Sequence, residues 1–463
     1  MSRMWRYFLL YLARKAGRYR TLLLAILMIC LCLGFFVLML RLLRRSHVRP
    51  KAAQLSVYLT PGDVTPAGAE AYARGWVGFP SLHSKVNCSQ AITSPRRNFM
   101  YPQTVPRATS GDILKQCRNN CKAFAENNGF NRYPRVTKEE LRFPIAFIIL
   151  FHQDLDQVLF LLRAIYRPHN VYCLSVDLSA SQVLIEATLA VSSCLQNVFV
   201  ASKLENIVYA GFSRLMADVH CMSDLLSHKV KWNYVINMPG QQFPLKTNLE
   251  MVQILKLYNG ANDVLGDIRS RYVPRRYLFK HHVMMEKNSS IPTVAETMHL
   301  NRPPPHGFRI VKGSAYNTLS RAFVEMVLQH PWVKDLIHWS RDVESPDEYL
   351  WATLNHASDM VVPGSFKDVP ENKPWLTSYT VWQGSAKCVS KFVRWICIFS
   401  PGDLPQLVAQ PHLFANKFYI DHHPAGLHCL DQYVYNLSVT GTVRALDYYR
   451  TLPFLVPFND FDN

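Results

Sequence analysis

From Phe143 onward, short apolar runs alternate with longer amphipathic segments. "FPIAFIILF" is an apolar run of strand length, and the apolar positions of "QVLFLLRAIYR" after it repeat with helical spacing. "VYCLSVD", "NVFVAS" and "NYVINM" predict three more strands, and "SQVLIEATLAVSSCL" and "SRLMADVHCMSDLLSH" predict helices between them. This alternation predicts an α/β fold whose parallel sheet is covered on both faces.

The rest of the pattern predicts one large domain with an interruption. Residues 259–305 are rich in Arg, Pro and Met, and the alternation resumes with "FRIVKGSAYNTLSRAFVEMVL". "CVSKFVRWICIF" predicts a strand bracketed by Cys388 and Cys397. Residues 42–135 contain few long periodic runs. We interpret 42–135 as a stem and stem-docking region before a globular domain at 136–463.

One apolar segment near the amino terminus predicts a membrane anchor. Residues 21–40 carry no charge, and twenty helical residues at ~1.5 Å each match the ~30 Å bilayer core. The run is long and lacks a clear small-residue cleavage site, which disfavours a cleaved signal peptide. We predict a cytoplasmic tail at 1–20 and a transmembrane signal anchor at 21–41.

Basic residues flank the anchor almost equally, so cysteines and sequons decide its orientation. Nine of the eleven cysteines lie outside the anchor, and N-glycosylation sequons begin at Asn87, Asn288 and Asn436. Together these features favour an oxidising lumen and therefore a type II membrane protein.

The charge balance narrows the choice of partner. A net charge of +18 suits a membrane surface or an anionic ligand such as a nucleotide sugar. Nucleic acid is the weakest candidate, because the chain has no zinc-finger spacing and no long basic run outside the membrane flanks.

The stretch "ESPDEYLWATL" begins a helical pattern with four polar residues. Ser345, Pro346 and Glu348 fit the N-cap, first and third positions of a capping box. The alternative is that Glu348 takes part in catalysis. The spacing alone favours the structural role.

No pattern predicts a metal site. Asp154 and Asp156 have the spacing of a metal-binding Asp-x-Asp pair, but they stand where a helix should begin, so N-capping is the better explanation. Ligands of parallel sheets bind beyond the carboxyl ends of the strands, which points to His152 and Asp177.

Two cations could bind a diphosphate without a metal. Arg394 and Lys417 are ordinary surface cations when each is taken alone. Arg394, however, lies within the apolar "FVRWICIF", and a buried cation requires an anion.

These residues stand among ordered blocks that resemble the core 2 and I-branching β-1,6-N-acetylglucosaminyltransferases, from about Cys88 to Cys429. The resemblance rests on "LLRAIY", "VYCLSVD", "FSRLMADVHCM", "FPLKTNLE", "GSAY", "SPDEYLWAT" and "HLFANKF". It implies a GT-A-type fold in the Golgi membrane and UDP-N-acetylglucosamine as donor. Inverting β-1,6 transfer to a galactose- or GalNAc-containing glycan on protein is also implied, with no metal or other cofactor.

The resemblance also implies roles for particular residues. Glu348 would be the general base, a role typically worth ~10²–10⁴-fold in rate. Arg394 and Lys417 would bind the donor diphosphate in place of a metal. The uridine side would be contacted by Leu150, Phe151, His152, Asp177 and Tyr209.

Disulfides follow from the same resemblance. The pairs would be Cys88–Cys429, Cys121–Cys194, Cys173–Cys221 and Cys388–Cys397. Cys117 would be left as the odd thiol.

The departures from the family pattern concern the acceptor. Arg276 and Trp382 match acceptor-binding positions, whereas Leu265, Val273 and Gln242 replace polar or charged family residues. Lost hydrogen-bonding partners for a sugar hydroxyl can change specificity by a large factor. The expectation is therefore a divergent transferase that keeps its donor side.

Two other readings compete with the transferase. The first is a catalytically inactive family member that binds UDP-sugar or glycan. The second, a glycoside hydrolase, is weaker because no second carboxylate is implicated.

Overall fold

The computed structural model describes residues 79–82, 85–93, 102, 104–269, 273–285 and 291–455. The predicted tail, the predicted anchor at 21–41 and the sequon at Asn288 lie outside these residues. Within them, no helix combines the length and the apolar character needed to cross a bilayer.

The described residues form fifteen α-helices and twelve strands, joined by loops and short 3₁₀ turns. The strands are β1 Ile145–Phe151, β2 Val171–Val176, β3 Val198–Val200, β4 Tyr234–Pro239, β5 Gln242–Pro244, β6 Phe279–Met285, β7 Pro292–Leu300, β8 Thr318–Ser320, β9 Ser378–Thr380, β10 Phe392–Val393, β11 Ile396–Cys397 and β12 Phe414–Asn416. The helices are α1 Cys88–Thr93, α2 Ser110–Asn119, α3 Cys121–Asn127, α4 Lys138–Leu141, α5 Leu155–Ile165, α6 Gln182–Cys194, α7 Phe212–Ser227, α8 Asn248–Tyr258, α9 Arg275–Leu278, α10 Arg321–Gln329, α11 Pro331–Trp339, α12 Leu350–Asn355, α13 Leu404–Val408, α14 Pro424–Thr440 and α15 Asp447–Arg450.

The central sheet has the strand order β3-β2-β1-β4-β8. β1 to β4 are parallel, as the alternation predicts, and every residue of β1 is buried because helices cover both faces. Phe147 and Ile149 point into one apolar cluster, while Ile148 and Leu150 point into the other. The edge strand β8 differs from the expectation, since it runs antiparallel to β4.

The region between residues 104 and 135 is more regular than the sequence pattern indicates. α2 and α3 begin at the N-caps Thr109 and Asn120, each of which accepts a backbone hydrogen bond. Ile113 and Phe124 are buried in the same core as one face of the sheet. These helices are short, so their apolar positions form no long repeat in the sequence.

Four disulfides join cysteines of the described residues, and they are the same pairs that the resemblance implied. They are Cys88–Cys429, Cys121–Cys194, Cys173–Cys221 and Cys388–Cys397. Their Cα–Cα distances of 4.8 to 5.8 Å are ordinary for such bridges. Cys117 is a buried free thiol, and burial raises its pKa to about 11.

Two of the sequons lie on described residues. Asn87 is exposed just before α1, and Asn436 is partly exposed on α14.

The interruption at 259–305 contains a separate two-stranded ribbon. Within the described residues, β6 and β7 pair only with each other, in antiparallel register. α9 leads directly into β6 and carries Arg276.

Candidate active site

Four of the five predicted uridine-side residues lie where β1 and β2 end. The backbone N–H of Asp177 donates to the carbonyl of Phe151 at 2.9 Å, which joins the ends of the two strands. The Asp177 carboxylate is nearly buried, and one oxygen accepts from Ser179 N at 2.9 Å and Ile207 N at 3.2 Å. Leu150 and Phe151 are the last two residues of β1 and are buried, whereas His152 is exposed just beyond the strand. This edge therefore offers a fixed carboxylate beside backbone groups and an open imidazole.

Tyr209, Arg394 and Lys417 lie together although they are distant in the chain. The guanidinium carbon of Arg394 lies 5.1 Å from the centre of the Tyr209 ring, which is itself 74% exposed. Lys417 is 6% exposed, and burial together with the neighbouring Arg394 charge lowers its pKa to about 8. In the described part of the chain, no carboxylate lies within 4 Å of either cation. Two adjacent cations of this kind can bind an anion such as a diphosphate.

Arg394 is at the turn of a hairpin, so the prediction of one strand across "CVSKFVRWICIF" is wrong. β10 and β11 are antiparallel, and both turn residues, Arg394 and Trp395, have positive φ values of 49° and 66°. Such a two-residue turn reverses the chain and turns the Arg394 side chain outward. The expectation that Arg394 is buried is therefore also wrong, because it is exposed. The Cys388–Cys397 disulfide closes the base of this hairpin.

The Glu348 carboxylate lies between two cations. Glu348 Oε2 is 2.8 Å from Arg276 Nη1 and 2.8 Å from Lys312 Nζ. The side chain of Glu348 is 29% exposed, so this ion-paired carboxylate still borders solvent. Lys312 approaches closely because Gly313 follows it, where a Cβ atom would lie 2.6 Å from the carbonyl oxygen of Leu265. The Gly313 N–H in turn donates to the Glu348 carbonyl at 2.6 Å.

The predicted capping box at this turn does not form, and this is a correction. Ser345 has a left-handed φ of 51° and makes no side-chain cap. Residues Pro346–Glu348 form a 3₁₀ turn, and α12 begins only at Leu350. Glu348 binds Arg276 and Lys312 instead, because two cations outweigh one backbone N–H as partners for a carboxylate.

A backbone hydrogen bond links this turn to the Tyr209 loop. The N–H of Ser345 donates to the carbonyl of Ala210 at 2.7 Å. Because Tyr209 precedes Ala210 and touches Arg394, the carboxylate turn and the cation pair belong to one region of the molecule.

Asp347 and Arg214 form a buried charged group that the sequence pattern does not reveal. Burial raises the pKa of Asp347 to about 6, against the lowering effect of Arg214. Arg214 Nε lies 3.9 Å from Asp347, and Arg214 Nη1 donates to Asp218 at 2.6 Å. Lys312 is also missed, since an isolated Lys before Gly-Ser-Ala-Tyr carries no local signal. For the Asp347–Arg214 group, the only signal in the sequence is that Asp347 stands next to Glu348.

The Asp-x-Asp pair binds an arginine. Asp154 stands before α5 but has a φ of 58° and makes no side-chain cap, so the capping explanation is wrong. Both Asp154 and Asp156 pair with Arg107, whose Nε donates to Asp156 at 2.7 Å. Across the described residues, no group of three His, Cys, Asp or Glu side chains is arranged to hold a metal ion.

Residues matched to the acceptor side lie on two segments. Arg276 also approaches Glu344, with Nε 3.5 Å from Oε1. Trp382 is exposed and forms an isolated β-bridge with Ile396 beside the hairpin. Gln242 is buried on β5, opposite Asn416.

Comparison with known proteins decides the family. A model described as "Core-2/I-Branching enzyme" matches residues 145–408, more than half of the chain. The chain belongs to the Core-2/I-branching enzyme family. It is therefore a glycosyltransferase. The matched range contains Glu348 and Arg394, and Lys417 lies just beyond it.

Curated relatives of this chain are named as β-1,6-N-acetylglucosaminyltransferases. The β-1,3-galactosyl-O-glycosyl-glycoprotein β-1,6-N-acetylglucosaminyltransferase 3 of Ovis aries is 38% identical over 336 residues, covering 70% of this chain and 74% of the relative. The protein of that name from Homo sapiens is 37% identical over 340 residues, with coverage of 70% and 75%. The N-acetyllactosaminide β-1,6-N-acetylglucosaminyl-transferase of Mus musculus is 39% identical over 319 residues, with coverage of 67% and 77%.

Proposed function

We propose that this protein transfers N-acetylglucosamine from UDP-N-acetylglucosamine, in β-1,6 linkage, to a galactose- or GalNAc-containing glycan on protein. We further propose a GT-A-type domain that acts with inversion and without a metal. The observation that carries the proposal is the Glu348 carboxylate, which lies between Arg276 and Lys312 on a turn bonded to the Tyr209 loop. The names of the relatives support the reaction and the class of acceptor.

The donor would occupy the edge beyond β1 and β2. Leu150, Phe151, His152, Asp177 and Tyr209 would contact the uridine side. Arg394 and Lys417 would bind the diphosphate, and they are suited to it because they are neighbouring cations without a carboxylate partner among the described residues. When the sugar leaves, negative charge develops on the diphosphate, and the same two cations would stabilise it.

Glu348 would act as the base on the acceptor side. Its free oxygen would accept the proton of the acceptor 6-hydroxyl while that hydroxyl oxygen forms the new bond to the anomeric carbon. The bond from the anomeric carbon to the diphosphate breaks on the opposite side, so the configuration inverts. Arg276 and Lys312 would hold the ionised carboxylate in position, and Arg276 and Trp382 would contact the acceptor.

We also propose that the protein is a single-pass type II protein of the Golgi membrane with its domain in the lumen. The apolar segment 21–41, the sequons and the four disulfides support this arrangement.

A second candidate is a family member that binds UDP-sugar or glycan without transfer. The observation that favours it is on the acceptor side, where Leu265, Val273 and Gln242 replace polar or charged residues of the family pattern.

The test uses the full-length chain in lipid nanodiscs with isotope-labelled UDP-N-acetylglucosamine and EDTA. Wild type and Glu348→Gln are compared across galactose- and GalNAc-terminated acceptors, with UDP affinity measured in parallel. We expect transfer by the wild type only, and we expect the two proteins to bind UDP with affinities equal within about twofold. Transfer by both proteins refutes Glu348 as the base, and UDP binding with no transfer by either favours the binding protein.

A further inference from the structure

The β6–β7 ribbon exposes an unusual amount of apolar side chain. Monomeric soluble proteins rarely leave large apolar side chains clustered in water, and such clusters commonly mark binding surfaces. In the part of the chain that the structure describes, no third strand covers this ribbon. Five of its large side chains are between 52% and 93% exposed, namely Val283, Met284, Met285, Met298 and Leu300, and Ile291 just before β7 is 69% exposed.

One face of the ribbon starts beside the proposed base. Along β6, His281, Val283 and Met285 share a face, because alternate residues of a strand point the same way. His281 is buried, and its Nε2 lies 3.6 Å from Glu344 Oε2. Glu344 in turn approaches Arg276, which binds Glu348. A continuous series of contacts therefore runs from the base to the ribbon.

The ribbon is also fixed relative to the base by two consecutive arginines. Arg275 Nε donates to Glu296 on β7 at 3.1 Å, while Arg276 Nη1 donates to Glu348 at 2.8 Å. Glu296 is the antiparallel partner of His281. The short helix α9 therefore connects the ribbon to the turn that carries Glu348.

The apolar part of this face extends along β6, away from the end at which His281 contacts Glu344. Val283 and Met285 lie two and four residues beyond His281, which is about 7 Å and about 14 Å at ~3.4 Å per residue. Their partners on β7, Val294 and Pro292, are apolar as well. An acceptor whose reacting hydroxyl lies at Glu348 would contact this face with the part of the molecule to which its glycan is attached.

We infer that the His281 face of the ribbon binds an extended polypeptide segment of the acceptor glycoprotein, next to the glycan that is modified. The inference rests on the proposed function and deepens it, because it adds the polypeptide beside the glycan to what the protein recognises. Apolar side chains that flank the glycosylated residue would pack on Val283 and Met285. Among the described residues the outer edges of the ribbon pair with no other strand, so they offer backbone groups to an extended chain.

The test measures binding separately from transfer. The full-length chain in nanodiscs, saturated with UDP, is titrated into a fluorescent peptide that carries a galactosyl-GalNAc disaccharide on threonine between valine and proline residues. The methyl glycoside of the same disaccharide serves as competitor. We expect wild type to bind the glycopeptide at least about tenfold more tightly than the glycoside. Val283→Ser with Met285→Ser should remove that preference and leave glycoside affinity unchanged.

Met284→Ser is the matched control, because Met284 is equally exposed on the opposite face of β6. It should keep the preference. A double variant that retains the preference overturns the inference, as does wild type without one. A double variant that converts a dimer to a monomer by mass photometry assigns the ribbon to a second copy of the chain and also overturns it. Glycopeptide preference without any transfer refutes the proposed function and leaves the ribbon assignment standing.

Discussion

The affinity for UDP should weaken above pH 8, because a lysine with a lowered pKa is part of the proposed diphosphate site. Burial, followed by the charge of Arg394, lowers the pKa of Lys417 from 10.5 to about 8. At pH 7 about nine-tenths of Lys417 is charged, and at pH 9 about one-tenth is. The terminal phosphate of UDP is at least about nine-tenths ionised throughout this range, since a phosphate loses its second proton near pH ~6. If binding requires the charged amine, the Kd for UDP should rise about tenfold between pH 7 and pH 9.

The neighbouring groups do not mask this titration. The Tyr419 ring lies 5.2 Å from Lys417 Nζ, and burial raises the pKa of its phenol, so Tyr419 stays neutral over the range. A guanidinium group does not lose its proton in this range, so the charge beside Lys417 is constant.

The assay is isothermal titration of UDP into the full-length protein at half-unit steps from pH 7 to 9.5. Lys417→Met should bind UDP weakly with a flat profile, and Lys417→Arg should retain its affinity at pH 9 because a guanidinium does not lose its proton there. Arg394→Gln should weaken UDP binding. It should also move the loss of affinity to higher pH, because it removes the charge that lowers the pKa of Lys417. A flat profile in wild type, or an unchanged profile in Lys417→Met, would refute the reasoning.

Three further predictions test other parts of the site. Lys312→Met should lower the rate of transfer about 10- to 100-fold with unchanged UDP affinity, because Glu348 loses a partner at 2.8 Å. The control Lys334→Met, at an exposed lysine, should leave the rate unchanged, and equal rates in the two variants would contradict the prediction. Asp347→Asn should raise the melting temperature by a few degrees at pH 7.5 and by less at pH 5, because the raised pKa of about 6 means that the ionised carboxylate destabilises the folded protein above that pH. A lower melting temperature for the variant at pH 7.5, measured by calorimetry, would contradict this. Cys117 should resist iodoacetamide at pH 8 in the folded protein, since its pKa is about 11, and mass spectrometry should find it labelled only after denaturation; rapid native labelling would contradict this.

The sheet was predictable because its signals are local. β1 is a continuous apolar run and β2 follows the same pattern, so both strands and their common edge can be read from the sequence. Asp177 then follows directly from the end of β2. Its position beside Phe151 depends only on the two strands being parallel neighbours.

The hairpin that carries Arg394 could not be read in this way. A two-residue turn with positive φ at both positions normally contains Gly, Asn or Asp, whereas this turn contains Arg394 and Trp395. The apolar residues around them fit a single strand equally well. The Cys388–Cys397 bond and the pairing of β10 with β11 stabilise a turn that the local sequence disfavours.

The environment of Glu348 was missed for a related reason. The sequence shows a capping-box pattern, but the partners that replace it, Arg276 and Lys312, come from distant segments. Tertiary ion pairs overrode a local preference that is worth only ~1 kcal/mol.

Lys417 gives an energetic argument for donor binding. Lowering its pKa from 10.5 to about 8 in the folded state costs about 3 kcal/mol of stability at pH 7, at ~1.4 kcal/mol for each unit of pKa. The sign follows from linkage: the unfolded chain binds the proton more tightly, so the cost is present below pH 8 and disappears above the unfolded pKa. A bound diphosphate would offset that cost by restoring an opposite charge beside the amine. The cost therefore fits an anion site better than a structural role, and it predicts that Lys417→Met stabilises the unliganded protein while it weakens UDP binding.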